Sequence, residues 1–203
     1  MIKNIIFDFG NVLLEWDEDK IVNALSNNKE EQEILKEVIF KSEEWSKLDN
    51  GSMNYQDAIL VFKEKLPINL KNRIEEIMST WYEKMRINEE ICNLIKKLKE
   101  NNYKVYALSN THVTVYEYVK NLEIGKYFDG FLISAIENMM KPNEEIYYRL
   151  FEKFGLVPNE CFFVDDSEKN IVAGRKCGME GHIFNIKDFQ KLIDELNKNN
   201  ILV

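Results

Sequence analysis

Cysteine is scarce in this 203-residue chain, histidine is scarcer, and long apolar runs are missing altogether. The three cysteines, Cys92, Cys161 and Cys177, form neither an even set nor a metal-type spacing, which excludes a disulfide framework and leaves reduced, buried thiols. With two histidines and no His/Cys cluster, the ligands of a zinc centre are also lacking. No apolar run approaches the roughly 18 residues of a membrane-spanning helix. Nor does a charged start followed by an apolar signal region stand at Met1, so a cytoplasmic protein is expected. Internal repeats and low-complexity tracts are absent. The series Gly174, Gly178 and Gly181 falls inside and after a helical pattern rather than between a strand and a helix start, so it is no dinucleotide fingerprint. A net charge of −8 disfavours nucleic acid and anionic membranes as partners.

What the chain does have is apolar residues, 45% of the total and enough for a substantial core, distributed in short runs that end abruptly in polar groups. Ile5-Ile6-Phe7 ends in Asp8, Val105 to Leu108 in Ser109, and Phe162-Phe163-Val164 in Asp165 and Asp166. A buried parallel strand delivers a functional group to the carboxyl edge of an open α/β sheet in this way, and three such ends predict one shared crevice. Lys141, before Pro142, is biased away from helical geometry and reads as a turn-borne cation directed into that crevice. Carboxylates converging in a partly dry cleft need a cation between them. Oxygen-only ligands select a hard one, and Mg²⁺ fits because it accepts one or two carboxylates together with waters and a substrate phosphate.

In order along the chain, FDFGNVL, LSNTH, KPNEEIYYRL and VDDSEKNI resemble the four motifs of the haloacid dehalogenase superfamily of aspartate-nucleophile hydrolases. The resemblance implies a Rossmann-like parallel sheet and a phosphatase acting on a small phosphate ester. In that reading Asp8 is the nucleophile, forming an aspartyl-phosphate. Ser109, Asn110 and Lys141 hold the phosphoryl group. Asp8, the Gly10 carbonyl and Asp166 bind Mg²⁺, with Asp165 and Asn170 supporting.

The chain departs from the family pattern at Gly10, where most such phosphatases carry a second aspartate that protonates the leaving oxygen. General acid catalysis contributes about 10²–10⁴-fold, so its loss favours substrates whose leaving group departs easily, such as anomeric sugar, acyl or aryl phosphates. The Gly-Asn-Val variant also resembles a subgroup that includes sugar-1-phosphate phosphatases. Alternative proton donors are His112, Glu15, Asp17 and Asp49. A dehalogenase is disfavoured, because the resemblance would then place an aromatic residue at Gly10 and would not need the Asp165-Asp166 pair. A phosphomutase and a catalytically reduced phosphate-binding protein on the same scaffold are the other readings.

Between residues 15 and 85 the pattern changes to helical periodicity with no strand signal, predicting a helical cap of four short helices at Asp17–Ala24, Glu30–Phe40, Tyr55–Lys65 and Leu70–Lys84. Asp49 to Ser52 and Pro67 to Asn69 read as turns. Residues 1–14 and 86–203 then make the α/β core, with strands at Val105–Leu108, Gly130–Ile133, Cys161–Val164 and Gly181–Asn185 alternating with helices. Most aromatics of the inserted segment read as packing, with Trp16 and Trp45 as the two expected to touch ligand. Residues 197–203 read as a frayed end. Spacing leaves the substrate and the oligomeric state open.

Overall fold

The computed structural model describes residues 1–203. Along the chain run β1 (Asn4–Phe7), β2 (Leu14–Glu15), α1 (Glu18–Leu25), α2 (Lys29–Leu35), α3 (Glu43–Asp49), α4 (Tyr55–Lys65), α5 (Ile68–Lys71), α6 (Ile74–Thr80) and β3 (Arg86–Ile87). Then follow α7 (Glu89–Glu100), β4 (Lys104–Ser109), α8 (Val113–Asn121), β5 (Gly130–Ile133), α9 (Ser134–Glu137), α10 (Glu144–Phe154), β6 (Cys161–Asp165), α11 (Glu168–Lys176), β7 (Glu180–Ile183) and α12 (Phe189–Lys198).

Five strands pair in parallel in the order β5-β4-β1-β6-β7, the open α/β sheet that the alternating apolar runs predict. Both faces are covered, so successive residues of each central strand enter different cores. Ile5, Phe7, Val105, Ala107, Phe162 and Val164 join a core of 43 buried residues that continues into the inserted helices. Ile6, Tyr106, Leu108 and Phe163 turn to the other face, where a 14-residue core packs them against α10 and α11. The register decides where the polar ends fall. Phe7 stands level with Ala107 on one side and Val164 on the other, so Asp8 and Asp165 come at one height, with Ser109 one residue further along β4. β7 approaches β6 closely enough that a Cβ on Gly181 would lie 2.8 Å from the Phe163 carbonyl oxygen, which explains glycine there.

Three features differ from the sequence reading. The segment described as free of strand signal begins and ends in a two-stranded antiparallel ribbon, with Leu14 opposite Ile87 and Glu15 opposite Arg86. Strands of two residues are too short to show a period. The inserted segment holds six α-helices rather than four. α3 falls between two of the expected helices, where Ser42 caps it by accepting from the Trp45 N–H at 3.1 Å. The stretch Glu30–Phe40 changes from α2 to a π-helical turn at Lys36–Phe40, and Leu70–Lys84 breaks at Asn72-Arg73 before α6 and a 3₁₀ turn at Trp81–Lys84. The terminal residues are tied down rather than frayed: Ile201 is buried, the Leu202 N–H donates to the Tyr103 hydroxyl at 3.0 Å, and Asn101 donates to the Leu202 carbonyl at 3.0 Å.

Candidate active site

Asp8 sits at the first position past β1, buried, with the Phe9 N–H donating to its Oδ1 at 2.7 Å. The ammonium of Lys141, in the loop between α9 and α10, is the organising charge. Its Nζ lies 3.0 Å from Asp8 Oδ1 and 2.6 Å from Asp165 Oδ2, and it donates to the Leu108 carbonyl at 2.9 Å. A buried ammonium is tolerable only with such partners. Burial opposes its charge, but the Asp8 and Asp165 carboxylates outweigh burial and raise its pKa. Asp8 itself is pushed up to about 6, by burial first and by the neighbouring Asp165, while Lys141 and Ser109 pull the other way.

The carboxylates of the acidic motif face different surroundings. Asp165 is fully buried and its acceptors are engaged: Oδ1 takes the Ser167 N–H at 2.8 Å and Asn170 Nδ2 at 2.9 Å, and Oδ2 takes Lys141. Asp166 is more accessible and accepts from Asn11 Nδ2 at 2.9 Å. Ligand oxygens of Asp8, Asp165 and Asp166 can all lie within 4.8 Å of one another. Three carboxylates converge with a single ammonium among them, and such an oxygen-only donor set suits a hard divalent cation.

Asn110 is brought to the site, with its side chain turned to the lysine loop. Its Nδ2 donates to the Lys141 carbonyl at 2.8 Å and its Oδ1 accepts from the Lys141 N–H at 2.9 Å, which fixes the backbone that carries the ammonium. Asn170 likewise acts on Asp165, and its own carbonyl accepts from the buried Tyr147 hydroxyl at 2.8 Å.

Above these groups lies a cleft of about 210 Å³. Asp8, Gly10, Asn11, Ser109, Asn110 and Asp166 line its base, and Leu14, Trp16, Trp45, Trp81, Met85 and Val115 its walls. The three indoles form one cluster, with ring centroids 4.7 to 5.9 Å apart. Trp16 and Trp45 line the cleft as expected. Trp81 joins them from the 3₁₀ turn that the helical pattern had hidden. Asn11 is the other residue the motifs passed over. Its backbone is left-handed at φ 52°, and its side chain joins Asp166 to the Trp16 N–H, which donates to Asn11 Oδ1 at 3.1 Å. Asparagine is the non-glycine residue most at ease there, and this was the available clue.

Of the four alternative proton donors, the structure brings one to the cleft. Glu15 faces Arg86 and Lys20, both at 3.7 Å, and Asp17 caps α1 by accepting from the Lys20 N–H at 3.0 Å. His112 is buried against the rings of Trp45, Tyr55 and Trp81 with both ring nitrogens unpartnered, and burial pushes its pKa down to about 4. It is therefore neutral at pH 7 and lines a separate hollow behind the indoles. Asp49, the last residue of α3, lines the cleft itself, and burial pushes its carboxyl up to about 7 against the pull of the His112 backbone N–H.

The chain is similar to known proteins along most of its length. A family model for haloacid dehalogenase-like hydrolases matches residues 2–178. A D-ribitol-5-phosphate phosphatase of Bacteroides thetaiotaomicron is 28% identical over 192 residues, covering 89% of this chain and 90% of its own. The sesquiterpene phosphatase astK of Aspergillus oryzae is 28% identical over 185 residues, covering 88% of each. Among solved structures, a haloacid dehalogenase family enzyme of B. thetaiotaomicron in complex with magnesium and inorganic phosphate superposes with a TM-score of 0.70 at 26% identity, over 90% of this chain and 93% of that one.

Proposed function

This chain belongs to the haloacid dehalogenase-like hydrolases, and from that premise we propose that it is a Mg²⁺-dependent phosphatase of a small phosphorylated metabolite of the sugar phosphate class. The observation that carries this reading is the arrangement at the sheet edge: Asp8 at the cleft base, Lys141 buried between Asp8 and Asp165, and Asp166 accessible beside them.

An Asp8 carboxylate oxygen attacks phosphorus, the ester P–O bond breaks toward the leaving oxygen, and water then attacks the aspartyl-phosphate to release inorganic phosphate and regenerate Asp8. Lys141 holds Asp8 in place and neutralises the charge of the incoming phosphoryl group, which the chain's net charge of −8 would otherwise repel. Ser109 binds a phosphoryl oxygen. Asn110 lines the same base and serves phosphate binding chiefly by fixing Lys141. Mg²⁺ would be held by Asp8, the Gly10 carbonyl and Asp166, with Asp165 supporting, and when bound it supplies positive charge against the phosphate oxygens. Residues 15–85 form the helical cap and residues 1–14 with 86–203 the α/β core, the cap excluding bulk water and shaping the substrate end of the cleft.

The sugar phosphate reading is supported by the ribitol phosphate phosphatase among the relatives. The indole walls suit the C–H face of a sugar ring, and equally a hydrocarbon chain of the kind the sesquiterpene phosphatase's name implies for that relative. The test is phosphate release from sugar phosphates, an isoprenyl phosphate, an acyl phosphate and an aryl phosphate, each with Mg²⁺ and with EDTA. Metal-dependent turnover is expected, falling at least about 10³-fold in Asp8→Asn with the fold retained. Undiminished turnover in that variant would sink the mechanism. Phosphate binding without turnover of any ester would favour a binding protein on this scaffold.

A further inference from the structure

An alkyl phosphate leaves as an alkoxide unless something gives its oxygen a proton, and the groups at the cleft base have none to spare. Each of the three protons of Lys141 has an acceptor, in Asp8, Asp165 and the Leu108 carbonyl. Asp8 is committed to phosphorus. Asp165 accepts from donors on both oxygens, which leaves it engaged away from the cleft. Asp166 accepts from Asn11 and belongs to the cation side. The cleft lining includes no lysine, arginine or histidine. Gly10, at the cleft base, offers no side chain, and a Cβ built there meets nothing within 4 Å.

Asp49 remains. It ends α3 and is held through its backbone carbonyl by the Ser134 hydroxyl, which also accepts from the Thr111 N–H at 2.8 Å. A residue of the inserted helices is thus tied to the segments at the carboxyl ends of β4 and β5, where it lines the same cleft as Asp8, Asp166 and the three indoles.

We propose that Asp49 is the general acid and base of the reaction, donating its proton to the leaving oxygen and recovering one from the hydrolytic water. The proposal rests on the phosphatase reading above. In the first step the ester P–O electron pair goes to the leaving oxygen, which takes the Asp49 proton and departs as a neutral alcohol. In the second, water oxygen bonds to phosphorus, its proton passes to the Asp49 carboxylate, and the Asp8–phosphorus bond breaks, restoring both residues. Burial pushes the Asp49 carboxyl up to about 7, toward the range in which one group serves both steps.

The experiment compares Asp49→Asn with the parent on an alkyl ester, a sugar phosphate esterified at a primary hydroxyl, and on 4-nitrophenyl phosphate, whose leaving group needs no proton. For the alkyl ester kcat/KM is expected to fall about 10²–10⁴-fold, and for the aryl ester less than about tenfold, with a burst of nitrophenolate as the second step becomes limiting. Adding Gly10→Asp to Asp49→Asn places a carboxyl in the open space beside Asp8 and is expected to restore alkyl ester turnover at least tenfold. Equal losses on the two esters, or unchanged turnover of the alkyl ester, would overturn the proposal while leaving the phosphatase intact. A parent protein silent on both esters would overturn the phosphatase reading and this proposal with it.

Discussion

Lys141→Met replaces the ammonium at the centre of the site with an apolar group of similar length, and the consequence for stability follows from the contacts it removes. Asp8 Oδ1 loses a partner at 3.0 Å, Asp165 Oδ2 one at 2.6 Å, and the Leu108 carbonyl one at 2.9 Å. Removing one member of a buried ion pair costs about 3–5 kcal/mol, because the charge left behind is uncompensated. At roughly 2–4 °C per kcal/mol for a chain of this size, Tm in EDTA at pH 8 should drop by about 6–20 °C. The loss should depend on pH in one direction. Burial pushes Asp8 up to about 6 even with Lys141 present, and without the ammonium the Asp8 carboxyl moves up further. A folded pKa above the unfolded value of about 3.9 means that the folded state binds the proton more tightly. Parent and variant share the unfolded state, so the penalty from this group is small below the parent's folded value of about 6, grows as pH rises past it, and is complete above the variant's higher one. The assay is thermal or urea unfolding of parent and variant in EDTA at pH 5, 6, 7 and 8, with Lys141→Met/Asp165→Asn as a double variant expected to lose less than the sum of the single changes. A difference independent of pH, or no loss at pH 8, would refute the reasoning.

Two further outcomes follow from single contacts. Asp166→Asn should keep the fold, since it can still accept from Asn11, but should weaken Mg²⁺ at least about tenfold, read as loss of the Tm increase that Mg²⁺ gives the parent. His112→Leu should remove part of the protein's acid sensitivity. The folded pKa of about 4 lies below the unfolded 6.5, so the parent keeps this contribution above pH 6.5 and loses it as pH falls toward 4. The variant should escape a loss approaching about 3 kcal/mol, and parallel pH profiles of urea midpoints would count against the buried, unpartnered imidazole.

Much of the site could be read from the chain because the relevant information is local. An apolar run that stops at Asp8, Ser109 or Asp165 states where a strand ends, and Phe189–Lys198 shows an amphipathic repeat unaided. Residues whose roles depend on distant partners were harder to assign. Asn11 matters because it meets Asp166, 155 positions away. The β2–β3 ribbon is two residues wide and exists only because Leu14 and Ile87 meet across more than seventy residues of helix. Trp81 read as one more helical aromatic until the break after α6 turned it into the cleft.

The amino-acid sequence by itself determined the open parallel sheet, the set of carboxylates and the lysine at its edge, and the missing side chain at Gly10, since each is written in contiguous residues and their periodicity. Only the tertiary structure decided the division of labour among those groups: Asp165 saturated by Lys141 and Asn170, Asn110 turned to the lysine backbone, His112 neutral behind the indoles, and Asp49 alone among the spare acids facing the cleft. The physical reason is that charge, burial and reach are properties of surroundings. Asp17, Asp49 and Asp165 are one residue type, and what distinguishes a helix cap, a proton donor and a buried counter-ion is which distant atoms the fold brings against each.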